Sequence, residues 1–231
     1  MKKQPISVIR FIFIFSSFLL IVNCASVKLS DSWTSDKFED TKSKKILVIG
    51  RSDDSETRKQ YEDLLVQKLK SENVNAFASN QLFPDLREKE NLSDEEKNSI
   101  VQKFASNGIE GIVLIALKDT KVTYVDENLS PKSDQMTYNK GRYGLSFADY
   151  YNVHSIEYLS KDIVRGNVEN LSTTKENPSY STYILEVVVY DITLDKTEQL
   201  VGAYEVEAKE PKSAEQVLNN FTKIISKQFK K

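Results

Sequence analysis

Two hydrophobic periods alternate along this chain, and each change of period marks the start of a new element. Lys45-Ile46-Leu47-Val48-Ile49-Gly50 is a short continuous apolar run closed by glycine, the pattern of a strand buried on both faces. In Ser52-Asp53-Asp54-Ser55-Glu56, which follows, Asp53 is placed to cap a helix and Glu56 to close a capping box. That helix is expected to reach about Ser71, with Tyr61, Leu64, Leu65 and Leu69 on one face and charged residues opposite. Residues 74–78 read as a second strand, parallel to the first through a right-handed crossover. After a polar loop over 80–91, Ser93-x-x-Glu96 opens another helix, striped by Ile100, Val101, Phe104 and Ala105. Gly108 stands where a C-cap glycine belongs, with Ile109 behind it as the hydrophobic clamp.

Residues 111–117 (GIVLIAL) should be a central strand, with alternation continuing through Val122 and Tyr124. Residues 126–178 break the rhythm: Ser, Asn, Gly and Pro mix with tyrosines, no helix of convincing period emerges, and the stretch exceeds an ordinary loop. From Tyr183 to Tyr190 the chain is β-branched and aromatic; 193–197 make a turn, and 200–206 return as the second strand of an antiparallel hairpin. Pro211 stops the hairpin. Ser213 opens a terminal helix carrying Ala214, Val217, Leu218, Phe221, Ile224 and Ile225 on one face. The order β-α-β-α-β, an irregular insertion, then β-β-α predicts an α/β fold of mixed α+β character, one mixed sheet flanked by helices.

The first 24 residues obey neither period. Lys2, Lys3 and Arg10 precede an apolar run from Phe11 to Val22, ending on the only cysteine, Cys24. The run falls short of the ~20 apolar residues of a spanning helix and suits the h-region of an export leader. Ile21-Val22-Asn23-Cys24 resembles the bacterial lipobox, although Asn stands where Gly, Ala or Ser is usual before the cysteine. The resemblance implies a signal peptide over 1–23, removed on export, and a lipidated, palmitate-bearing N-terminus at Cys24. An uncleaved anchor and a plain secretory leader are the alternatives. Residues 24–43, rich in Ser, Thr, Asp and Lys, read as a polar tether, with Trp33 either within it or pinning it to the domain; 44–231 form the single domain. Ala25 follows the cysteine with no Asp to signal inner-membrane retention, so outer-membrane placement in the cell envelope is expected.

Composition narrows the chemistry. The net charge is −2 with Lys and Arg scattered, and no basic stripe marks a nucleic-acid surface. With Cys24 acylated, no thiol remains for disulfides, metal or catalysis. His154 is the single histidine, too little for a zinc site, and no Gly-x-Ser-x-Gly elbow accompanies it. The loop Gly50-Arg51-Ser52-Asp53 lies where open α/β sheets bind ligands, but it lacks a phosphate-binding glycine pattern and reads as a helix cap. Asp53/Asp54 and Glu95/Glu96 are explained by capping, and Asp126/Glu127 by solvation. No cofactor, metal or enzymatic activity is expected.

What remains is aromatic. Six of the 11 tyrosines fall between 124 and 158, and tyrosine supplies stiff contact area with a polar tip. Tyr138, Tyr143, Tyr150, Tyr151 and Tyr158 are therefore the candidate partner-binding residues, the alternative being that they cover one end of the sheet.

Trp33, the 45–50 strand, Tyr61-Glu62-Asp63, the 108–117 stretch and the 183–191 strand with its hairpin return together resemble a poorly characterised group of bacterial envelope lipoproteins. Their periplasmic α/β domain is similar to those of TolB (its N-terminal part), CsgG and LpoB. The resemblance implies a membrane-anchored accessory that binds or assembles with a protein or glycan partner. The alternative is a CsgG-like oligomeric secretion or pore subunit. Spanning hairpins need about 9–11 alternating residues per strand, and Lys140, Arg142, Lys161, Asp162 and Arg165 interrupt the insertion.

Overall fold

The computed structural model describes residues 27–52, 54–86, 92–124, 144–148, 150 and 179–230. In chain order the elements are β1 (Val27–Thr34), α1 (Phe38–Thr41), β2 (Ile46–Gly50), α2 (Ser55–Ser71), β3 (Ala76–Ala78), α3 (Ser79–Leu82), α4 (Asp94–Ser106), β4 (Gly111–Tyr124), β5 (Ser179–Asp191), β6 (Leu200–Lys209) and α5 (Ala214–Gln228). They build one mixed six-stranded sheet in the order β1-β6-β5-β4-β2-β3, an α/β fold with helices on both faces.

β2 is buried along its whole length, as its lack of alternation requires. It pairs in parallel with β3 on one side and with β4 on the other. β4, β5, β6 and β1 continue the sheet by antiparallel pairings. On one face Val48, Val113, Val187 and Val206 pack against Tyr61, Leu65 and Leu69 of α2 and Val217, Phe221 and Ile225 of α5. The rings of Tyr61 and Phe221 meet edge to face, 5.7 Å apart. On the other face Leu47, Ile49, Leu114, Val188 and Tyr190 pack against Phe104 of α4, with Phe83, Phe147 and Tyr150 beside it.

The local signals act as physical stops and starts. Ser93 Oγ accepts from the Glu96 N–H and Glu96 Oε2 accepts from the Ser93 N–H, a complete capping box that satisfies two otherwise orphaned donors. Gly108 adopts φ +71°, its N–H reaching the Ala105 carbonyl while that of Ile109 reaches Phe104. This is a Schellman end that glycine adopts without steric cost. Asn73 (φ 63°) closes α2 in the same way, with Val74 N–H on the Leu69 carbonyl. Ser213 Oγ caps α5 by accepting from the Gln216 N–H. The N-cap of α2 is Asp54, which accepts from the Thr57 hydroxyl at 2.7 Å; Asp53 lies outside the described residues. Leu64 is half-buried, and the buried stripe of α2 takes in Thr57, Glu62 and Val66 besides Tyr61, Leu65 and Leu69.

One expectation is overturned. The segment from Val27 onward, read as part of a polar tether, is the edge strand β1, in register with β6 from Val27↔Ala208 to Thr34↔Gly202. Trp33 is half-buried against the α4 face, the pinning alternative. Phe38, 3 % exposed, meets Tyr204 and Phe229 at ring distances of 5.9 and 5.2 Å. The strand escaped the sequence reading because Val27, Leu29 and Trp33 are the only apolar positions in a polar stretch, and a register shift between Leu29 and Asp31 puts the first two on the α2 face and Trp33 on the other.

Asp191, at the end of β5, fastens this N-terminal segment to the sheet. Its side chain is 2 % exposed. Oδ2 accepts from Lys44 Nζ at 2.7 Å and the Thr41 hydroxyl at 2.9 Å, and Oδ1 from the Thr193 hydroxyl at 2.7 Å. Burial alone would raise the pKa of this carboxyl, but hydrogen bonds from Lys44, Thr193 and Thr41 outweigh it and hold it below the ordinary value of 3.8. A depressed folded pKa gives stability that is present above the ordinary value and disappears as pH falls through the lower folded one. Asp191→Asn should therefore lower unfolding free energy near neutral pH, and the gap from wild type should close in urea titrations taken below about pH 4.

Candidate functional site

Chain order reverses about β2: its crossover runs through α2 to β3 on one side, and that from β3 returns through α4 to β4 on the other, so α2 covers one face and α4 the opposite one. Open α/β sheets bind ligands at such a switch point, and charged groups are buried here on both faces.

On the α2 face sits Glu62, completely buried. Its Oε1 accepts from the Gly50 N–H (2.9 Å), Arg58 Nε (2.9 Å) and the Ser79 hydroxyl (2.6 Å). Its Oε2 accepts from the Asn80 N–H (2.6 Å) and Nδ2 (2.8 Å). Arg58 extends the network through Nη2 to Ser79 Oγ at 2.7 Å and through Nη1 to the Leu86 carbonyl. A carboxylate so supplied with donors ties the end of β2 to α3, the short helix after β3. Two of those donors, the Gly50 and Asn80 N–H groups, are the kind an incoming anion would need. This face is a structural clasp.

On the opposite face the register aligns Asp31, Glu205, Glu186 and Ala116 in one row across β1, β6, β5 and β4. Arg51 prolongs the ladder beyond β2 with its N–H on the Ile115 carbonyl at 2.8 Å. Glu186 and Glu205 are 2 % and 7 % exposed and stand directly opposite each other, an arrangement that puts Cβ atoms about 5 Å apart and sets like charges against each other. Tyr150 lies over this row. Its hydroxyl donates to Glu186 Oε1 at 3.4 Å, and the Arg51 guanidinium, 5 % exposed, sits 5.4 Å from its ring centroid. Burial, then the Glu186 carboxylate, push the Tyr150 hydroxyl well above its ordinary pKa, with Arg51 working against them.

Tyr150 is thus one of the five tyrosines expected to form a contact surface, and it is fully buried. Together with Phe147 it packs on the α4 face of the sheet, its ring 6.1 Å from that of Tyr190, where Phe147 also packs at 5.9 Å. The neighbouring backbone is tied down too, with the Leu200 N–H on the Leu145 carbonyl and the Phe147 N–H on Gln199 Oε1. Tyr138, Tyr143, Tyr151, Tyr158, His154 and Cys24 lie outside the described residues. Glu186 and Glu205 went unnoticed in sequence, yet their signal was legible: each is an acidic residue inside an apolar run that should be buried on both faces.

Among the described residues, no group of three or more His, Cys, Asp or Glu side chains is placed to hold a metal ion. A cavity of about 210 Å³ lies beside β1, lined by Phe38, Lys42, Tyr204 and Gln228 among others. It is smaller than the roughly 300–1,000 Å³ of small-molecule sites. Lys42 Nζ there is engaged by Glu39 at 2.6 Å and the Lys230 carbonyl at 3.3 Å.

No family model and no curated protein matches the chain. Among solved structures, the PelC dodecamer from Paraburkholderia phytofirmans matches at 7 % identity and a TM-score of 0.40, over 88 % of this chain and 96 % of that one. A point-substituted form of the same dodecamer matches at 6 % identity and a TM-score of 0.41, over 89 % and 98 %. At that similarity the reading of this chain rests on its own residues.

Proposed function

We propose that the chain is an exported, lipid-anchored lipoprotein of the bacterial cell envelope, acting as a binding or assembly accessory for a protein or glycan partner. The lipoprotein group that the sequence resembles is the assignment this reading carries. The observation behind it is the leader-like stretch over 1–23, followed directly by the only cysteine of the chain, Cys24. The buried charged groups at the switch point fit the same reading: Glu62 is consumed by backbone and side-chain donors, and Arg51, Glu186 and Tyr150 hold a closing segment in place.

The test is Cys24→Ser. Mass spectrometry of the wild-type protein should find an acylated Cys24 at a new N-terminus, whereas the variant should lack the acyl mass. Crosslinking in native envelopes should then recover a partner with the wild type and lose it with the variant. An unmodified Cys24 in the wild type overturns the anchor, and identical crosslinks in both forms overturn the need for it.

A further inference from the structure

Resting on the lipid-anchor reading, we infer that one end of the sheet docks directly on the bilayer surface: the end where β1 begins and the parallel strands finish. Only Ala25 and Ser26 separate Cys24 from Val27, and three residue steps span roughly 10 Å when fully extended. Val27 is no loose end. It is 3 % exposed and paired with Ala208 in the sheet. The polar headgroup layer adds about 5–7 Å to each side of the hydrocarbon core, so an anchor at Cys24 holds the first row of the sheet at the headgroups. A tether of some 20 residues would have let the domain stand well clear of the bilayer; three residue steps keep it close.

The register defines which parts share that end. The row of Val27 continues through Ala208 and Tyr183 to Thr120. Beyond it β4 and β5 stay paired for four more residue pairs, out to Tyr124↔Ser179, about 13 Å further at 3.4 Å per residue. This two-stranded projection therefore reaches at least as far as the anchor does, so it and the chain that joins its two strands face the bilayer. Lys212, exposed in the turn between β6 and α5, stands at the same end. Trp33 and the β5–β6 turn with exposed Lys196 stand at the other, since Trp33 pairs with Ala203 near the start of β6. Among the described residues no helix is long and apolar enough to cross a membrane.

The experiment uses the acylated full chain in vesicles of phosphatidylethanolamine and phosphatidylglycerol carrying a nitroxide-headgroup lipid. With Cys24 blocked by acylation, Lys212→Cys and Lys196→Cys each offer a single labelling site for a fluorophore. The label at position 212 should lose its emission to the nitroxide, while that at 196 and the native Trp33 should keep theirs. Equal loss at both labels, or quenching of Trp33 in the unsubstituted protein, overturns the docking. Mass spectrometry of the same sample separates the two readings: an unacylated Cys24 sinks the anchor and the docking with it, whereas an acylated chain without end-selective quenching sinks the docking alone.

Discussion

Glu62→Gln is expected to cost about 3–5 kcal/mol of folding free energy, the range for breaking a buried ion pair from one side. The amide keeps the shape of the side chain but removes the charge opposite Arg58, whose side chain is only 14 % exposed. It also substitutes an N–H₂ for one oxygen at a place where every neighbour is a donor: Gly50 N, Arg58 Nε and Ser79 Oγ on one side, Asn80 N and Nδ2 on the other. At least two donors are left facing a donor. Urea denaturation of the variant should show the loss in the midpoint, and the melting temperature should fall by roughly 10 °C for a domain of this size. A companion Arg58→Met should be destabilising alone yet less than additive with Glu62→Gln, because the two changes remove one interaction. A loss under about 1 kcal/mol for Glu62→Gln would show the pair to behave as an exposed one.

Phe104→Ala should cost about 3–5 kcal/mol. Phe104 is fully buried on α4 and lies, tilted, against two rings that come from different parts of the chain, Phe83 at 5.0 Å and Phe147 at 5.9 Å. Deleting it removes apolar area and leaves a cavity at the seam between α4 and the segment around Phe147 and Tyr150. The prediction has a spatial component. Limited proteolysis should cut the variant in that segment at protease concentrations that leave the wild type intact, since Phe147 loses the ring of Phe104 from beside it. A Phe221→Ala control, on the opposite face against Tyr61, should lower stability by a similar amount without that local cutting.

Both predictions concern residues whose importance was unevenly visible in sequence. Phe104 lay on an apolar stripe of helical period, and its burial followed from the pattern. Glu62 was quoted only within the Tyr61-Glu62-Asp63 stretch. A glutamate one position from the apolar stripe of an amphipathic helix ordinarily faces water, and only α3 packing back onto it turns it into a clasp. The tyrosines show the same limit. An excess of Tyr between 124 and 158 signals large amphipathic contact area, but composition does not say whether the area faces a partner or the protein's own sheet. For Tyr150 it faces the sheet, because Glu186 and Arg51 wait there to meet its hydroxyl and ring.

The sequence by itself determined the local features: the capping box at Ser93, the Schellman glycine at Gly108, the doubly buried strands β2 and β4, the hairpin of β5 and β6, and the stripe of α5. Each depends on residues within a turn or two, where steric preference and hydrogen bonding to near neighbours decide the outcome. The tertiary structure alone decided that β1 is a strand, that Asp191 fastens the segment after it through Thr41 and Lys44, and that Glu62 is interior. A buried charge is tolerated only when partners remote in sequence arrive to meet it, and an edge strand is held by a ladder on one side while its other side answers to solvent. Neither condition is written in the residues that must satisfy it.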